Sequence, residues 1–258
     1  MHSSLVFAQE LNEAVFVNDY ALSRLGALIS DIFIIGTPAE IYNREAFYLL
    51  KIADPTGFFN VLIPKELKIF VENEYPVFFA IFGKVNFIER KSRIPFVIAR
   101  KVNLVEKRDR DAWLVETTRR TLERIKTIEI TGEFSGNISE LNKVLNSHKL
   151  PRIMLEGIEN LIEIGIKAET ERYVDMLVRV MNSLLSEFVE PIENMDKLRK
   201  EILDKITSLQ DQNGVEIERL KLEINEREED IDNCLYRLLS EGIIYEPRVG
   251  RVKKIDGV

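Results

Sequence analysis

The chain has 258 residues, 45% of them apolar and 31% charged, with a formal net charge of −7. At roughly 150 residues per domain this is enough for one or two domains with cores of their own. One cysteine, Cys234, excludes an intramolecular disulfide and a multi-cysteine metal site, and His2 and His148 are the only histidines.

No apolar run approaches the ~20 residues needed to cross a bilayer. The start, Met1-His2-Ser3-Ser4, lacks the basic and apolar regions of a signal peptide. The expectation is a soluble, cytoplasmic protein. Its acidity is uneven: residues 127–232 sum to −11, whereas 29–107 and 108–126 are each +2. Between Lys84 and Arg110 nine Lys/Arg stand against three acids. Segregated charge of this kind suggests two jobs.

Residues 1–28 read as an N-terminal arm. Residues 29–107 are rich in Val, Ile, Phe and Tyr and hold five strand candidates, Ile29–Tyr42, Glu45–Ala53, Phe58–Ile63, Val77–Ile88 and Ile94–Val105. Asp54-Pro55-Thr56-Gly57 joins the second and third as a hairpin turn, since Pro presets φ, Gly permits φ > 0 and Asp bonds nearby N–H groups. A short helix opens at Pro64, with Leu67, Phe70 and Val71 on one face. Three strands, a helix and two strands are the plan of a five-stranded OB-fold barrel. The fourth strand is apolar on both faces, so Phe78 and Phe82, or else Phe79 and Ile81, require cover from the arm, the next helix or a partner.

Residues 108–127 form the next unit, a helix with Asp109 as cap and a stripe of Leu114, Thr118, Thr121, Leu122 and Ile125. Residues 128–194 read as an acidic helical connector. In residues 195–258 the pattern predicts helices over Met195–Leu209, Ile217–Ile224 and Glu228–Leu239, a stop at Gly242, and a hairpin around Glu246–Gly250. Three helices and a hairpin make a winged helix-turn-helix, and the whole reads as an α+β multidomain chain. The third helix opens on Glu228, Glu229, Asp230 and Asp232, which phosphates repel. Protein binding is the preferred role of this module, and the basic wing (Arg248, Arg251, Lys253, Lys254) keeps the DNA option open.

Catalytic signatures are sparse: there is no phosphate-binding Gly-Lys-Ser/Thr loop, no HExxH and no GxSxG. No enzyme is expected and no cofactor is called for. The positive signal is cations interleaved with aromatics on a barrel, the composition of single-strand binders. OB-folds bind through strands two and three and the loops joining strands one–two and four–five. That places Arg44 in the first loop and Arg90, Lys91 and Arg93 in the second. Lys51, Phe58, Phe59, Lys84, Phe87, Phe96, Arg100 and Lys101 lie on the adjoining strands.

The runs Phe7–Asn12, Leu25–Ala27, Phe33–Thr37, Asp54–Gly57 and Asp111–Thr118 resemble archaeal replication protein A-associated proteins. The ending Leu239–Arg248 is similar to the winged helix of the replication protein A middle subunit, while residues 130–195 match no part of that family. The resemblance implies an accessory subunit of a single-stranded DNA-binding complex in replication and repair. It implies OB-fold subunits and repair proteins as partners, and no membrane. It also implies that the helix after the barrel builds a subunit interface through Trp113, Leu114, Thr118, Thr121, Leu122 and Ile125. Telomere-capping proteins share the order of OB-fold and winged helix, and a scaffold that binds no DNA is a second alternative.

Overall fold

The computed structural model describes residues 4–67, 78–88, 94–132, 152–167, 169–185 and 195–255. The arm is ordered. Helix α1 (Ala8–Asn12) precedes a small antiparallel sheet of β1 (Val15–Val17), β2 (Tyr20–Leu22) and β3 (Leu28–Ile29). Val6, Phe7 and Leu11 are buried in the same core as the barrel side chains, so the arm closes one end of that core.

The expected barrel forms from β4 (Asp31–Asn43), β5 (Phe47–Asp54), β6 (Gly57–Pro64), β7 (Phe78–Ile88) and β8 (Ile94–Val105), closed in the order β4–β5–β6–β8–β7. A parallel contact of β6 with β8 completes the wall, as the OB-like topology requires. Strand alternation sorts the side chains. On β6, Phe59, Val61 and Ile63 point in and are fully buried, while Phe58, Asn60 and Leu62 face out. Ile32, Ile34, Leu50, Ile52, Ile81 and Val97 fill the rest of the interior. Behind β6 the expected helix is a single 3-10 turn, Lys65–Leu67; the rest of that expectation lies outside the described residues.

Helix α2 runs from Lys107 to Gly132, longer than its sequence stripe. It settles the question of strand β7. Phe79 and Ile81 share the inner face with Gly36 and Ile34, and outward Phe78 lies under the Arg110 guanidinium at 5.5 Å. Trp113 donates its indole N–H to the Phe33 carbonyl at 3.1 Å and meets the Phe7 ring edge-on. The cover of Phe78 is therefore the chain's own next helix, while outward Phe82 is half-buried with the Arg100 guanidinium 6.0 Å from its ring.

Two helices of the acidic segment pack on this body. α3 (Arg152–Ile164) crosses the arm where Gly157 meets Gly26: a Cβ on Gly157 would lie 1.8 Å from the Gly26 carbonyl oxygen. α4 (Thr170–Leu185) buries Tyr173, Met176, Leu177 and Val180 in the barrel's core cluster, packed along α2. This corrects the reading of the α2 stripe. Trp113, Leu114, Thr118, Thr121 and Ile125 are buried inside the chain, and only Leu122, 48% exposed, offers itself to another subunit. Among α1, α2 and α4 lies an ion pair, Arg124 to the fully buried Glu10 at 2.7 Å, with Thr121 accepting from the same guanidinium nitrogen.

The last 61 described residues build a second core. They comprise α5 (Met195–Leu209), β9 (Val215–Glu216), α6 (Ile217–Glu223), α7 (Glu228–Ser240), β10 (Ile244–Arg248) and β11 (Arg251–Lys254). The strands pair in the order β10–β11–β9; β9 is too short to leave a periodic signal. Among the described residues no helix is long and apolar enough to cross a membrane.

Breaking a buried ion pair strands one charge, whereas replacing both partners removes the desolvation cost as well. Arg124→Ala is expected to cost about 3–5 kcal/mol in urea unfolding, and the double variant Glu10→Leu/Arg124→Leu to be the more stable of the two.

Candidate nucleic-acid interface

Cross-strand register defines the outer wall. Tyr42, Leu49 and Leu62 are successive partners on β4, β5 and β6, and Leu62 lies beside Ile98 of β8. Their stripe is apolar yet faces outward; Tyr42 is 44% exposed and the other three are half-buried. One step along, Glu40, Lys51 and Asn60 form the next row, and Asn60 donates its amide N–H to the Pro95 carbonyl at 3.4 Å, beside Phe96. A further step brings Ala53 opposite Phe58. At the other end, exposed Arg44 begins the short β4–β5 loop, closed by its N–H bond to the Phe47 carbonyl at 2.9 Å.

The rows differ in access. The Ala53 and Phe58 end lies beneath the C-terminal hairpin, where Ala39, Ala53, Tyr245 and Ile255 form a separate buried cluster with Phe58 against it. The Tyr42–Ile98 row lies clear of that cluster. Between them stands Glu40. It pairs with Lys51 at 2.9 Å, accepts hydroxyl bonds from Tyr42 at 2.7 Å and Tyr245 at 3.3 Å, and has Lys253 at 3.7 Å. Burial raises its pKa, but hydrogen bonds from Lys51 and Tyr42 and the charges of Lys51 and Lys253 hold the carboxyl below its ordinary range.

The predicted residues separate accordingly. Phe59 is a core residue with no exposed surface, so it cannot stack on a base. Phe87 packs on Phe16 of the arm at 4.6 Å between ring centroids, and the arm covers it. Phe58 carries the Lys51 ammonium at 4.6 Å and lies under the hairpin. Of the four rings, Phe96 alone stays half-buried on the open part of the wall. Among the cations, Lys51 is bound to Glu40 and Arg100 to Asp31 at 2.8 Å. Arg44 and Lys101 are exposed, and Lys84 is half-buried opposite Asp31. Arg90, Lys91 and Arg93 lie outside the described residues. The predicted list omits the outward apolar row of Tyr42, Leu49, Leu62 and Ile98. Its signal is that β5 and β6 carry apolar residues on both faces where only one is needed for the core.

The turn after β5 fixes this wall to the arm. The Asp54 carboxylate accepts N–H bonds from Ala8 at 2.8 Å and Thr56 at 2.7 Å, and the Thr56 hydroxyl at 2.7 Å. The Thr56 oxygen in turn accepts the Gln9 N–H at 3.1 Å. Two amides that α1 leaves open at its start are thus capped by a turn 46 and 47 residues away. Burial pushes the Asp54 pKa up to about 6, against the lowering effect of these donors.

No family model matches the sequence, and no curated protein matches it. Among solved structures the chain is similar to the Stn1-Ten1 complex of S. pombe, at 18% identity over 48% of this chain and 93% of that one, with a TM-score of 0.42. It is similar to a replication protein A heterotrimer bound to ssDNA at 12% identity, over 48% of this chain and 98% of that one, with a TM-score of 0.41. A third likeness is to asparaginyl-tRNA synthetase from Pyrococcus horikoshii, at 13% identity over 51% of this chain and 36% of that one, with a TM-score of 0.30.

Because the folded state holds the Asp54 proton more tightly than the unfolded chain, stability falls as pH rises from about 4 to about 6 and is flat for this group above that. The share of Asp54 in that fall is on the order of 3 kcal/mol. Carbon NMR of the side-chain carboxyl is expected to show a midpoint near 6. Asp54→Asn is expected to shrink the pH step, leaving the part due to Glu246, whose pKa burial also raises.

Proposed function

We propose that this chain is a non-enzymatic subunit of a single-stranded DNA-binding complex of the replication protein A kind, serving replication and repair. The barrel, read as an OB-fold, holds the strand, and the C-terminal module, read as a winged helix, holds other proteins. The observation that carries the reading is the open part of the barrel wall. It presents an outward row of Tyr42, Leu49, Leu62 and Ile98 with Phe96 alongside, and Arg44 and Lys84 near its two ends. Single-strand binders use such a platform for bases and such cations for phosphates.

The order helix, strand, two helices and hairpin, with the sheet β10–β11–β9, supports a winged helix. Its charges support a protein partner over a duplex. Glu228 and Glu229 are exposed at the start of α7, Arg251 is held by Glu216 at 2.7 Å and Asp211 at 3.3 Å, and Lys253 leans on Glu40. Acid at the helix that would enter a groove opposes phosphate, and internally paired cations neutralise little of it. One observation favours the scaffold reading, in which the barrel meets only proteins: Lys51 and Arg100 already have acidic partners.

A titration of labelled oligo(dT) by fluorescence anisotropy separates the two. Saturable binding at low salt is expected. Arg44→Ala/Lys84→Ala is expected to weaken it about tenfold and to lower the salt slope by about 1.4, since each phosphate contact on a single strand contributes roughly 0.7. Tyr42→Ala is expected to cost about 1–3 kcal/mol of binding, the worth of one stacked base. Absence of saturable binding at low salt establishes the scaffold reading instead.

A further inference from the structure

We infer that the C-terminal module is a latch: its hairpin occupies one end of the barrel's outer wall and is displaced when a single strand fills the whole wall. The inference rests on the nucleic-acid reading above. The rows of the wall are continuous in register, from Leu49 and Leu62 through Lys51 and Asn60 to Ala53 and Phe58. A strand tracking along them runs from the open row into Tyr245 and Ile255. The hairpin therefore covers Phe58 and borders Lys51, part of the surface that the OB-fold plan assigns to ligand.

The contact is a close apolar fit with polar ties around it. At its centre it leaves about 10 Å³ of space, lined by residues that include Thr37, Ala53, Gly242 and Tyr245. Polar ties across it include Tyr245 hydroxyl to Glu40 at 3.3 Å, Arg110 to the Leu239 carbonyl at 3.5 Å, Lys253 to Glu40 at 3.7 Å and Arg179 to Glu246 at 3.8 Å. The C-terminal module has a core of its own, from Leu198 to Val252, so it keeps its interior when it leaves the barrel. Two separately cored bodies joined through a small apolar cluster, the packing of α7 on α4 and a few polar bonds meet as domains do, and such contacts open without loss of either core. Once open, Lys51 and Phe58, already stacked on one another at 4.6 Å, join the row of Tyr42 and Phe96.

The geometry supplies its own lock. A Cβ on Gly242 would lie 3.5 Å from the Thr37 Cβ, within the span of a disulfide, and because Gly242 holds φ +69 the cysteine there is strained, so the variant is first checked for a native melting transition. Cys234, the one native cysteine, is buried and its thiol is pushed up to about 11 by burial, so it does not compete. Full-length Thr37→Cys/Gly242→Cys is oxidised, the cross-link is confirmed by gel mobility, and labelled oligo(dT) is titrated before and after reduction. The latch predicts that the oxidised form binds at least tenfold more weakly than the reduced form. Where strain at position 242 blocks the cross-link, the Lys253→Glu arm decides. Equal affinity of the two forms overturns the latch and leaves the nucleic-acid reading intact. No binding by the reduced form at low salt overturns that reading, and the latch with it. Lys253→Glu, which sets a second carboxylate against Glu40 without altering the glycine, is expected to bind the same oligonucleotide at least threefold more tightly than the unmodified chain; unchanged or weaker binding contradicts the latch.

Discussion

The buried Asp54–Thr56 turn is the point on which the arrangement depends. Its carboxylate and hydroxyl cap the first amides of α1, and α1 holds Phe7 against Trp113 at the end of the barrel. The same helix carries Glu10 to Arg124, which ties α2 to the arm. On its other side the turn meets the C-terminal hairpin, where the Glu246 carbonyl lies 3.8 Å from the position a Cβ on Gly57 would take. Arm, barrel and long helix are joined through four residues linking two strands, and the C-terminal module, with its own core, rests against them. A hairpin turn is ordinarily exposed; this one is buried because its polar groups find their partners in another segment of the chain.

The second constraint is a surplus of apolar surface. A barrel needs one apolar face per strand, and β4, β5, β6 and β7 carry more. The chain disposes of the surplus by covering it: α2 over Phe33 and Phe78, the arm over Phe87, and the C-terminal hairpin over Ala53 and Phe58. What stays outward includes the continuous row of Tyr42, Leu49, Leu62 and Ile98, and, on β7 and β8, Ile88, Ile94 and Leu104. An apolar row that runs unbroken across four strands of the wall is the feature that asks for a ligand. The acidic helices, by contrast, bury their apolar faces at home: α4 on α2, with Tyr173 donating to Glu13 at 2.8 Å.

Much of the fold was legible in the sequence because its signals are local. The five barrel strands fall within a few residues of their expected bounds, since β-branched and aromatic runs end at turn residues. Gly242 adopts φ +69 at the predicted helix stop. The parts that escaped are those decided at long range. β1, β2, β3 and β9 are two or three residues long and exist only through their partners. The site was legible in its location and only partly in its members. Phe58, Phe59, Phe87 and Phe96 look alike in a list of aromatic residues; burial in the core, under the hairpin or under the arm distinguishes them, and none of those covers is a neighbour in sequence. Likewise the α2 stripe marks the buried face except at Leu122, which is exposed, yet nothing local to it reveals that α4 packs along that helix.

The central claim is that the outer barrel wall holds a single strand along its rows. Hydrogen–deuterium exchange on the full chain with and without oligo(dT) tests it directly. The account predicts slowed exchange in residues 42–49, 60–64 and 94–98 on adding the oligonucleotide, with faster exchange in the hairpin at 244–254 as it leaves the wall. Slowed exchange confined to α7 and the hairpin, with the barrel strands unchanged, would contradict it.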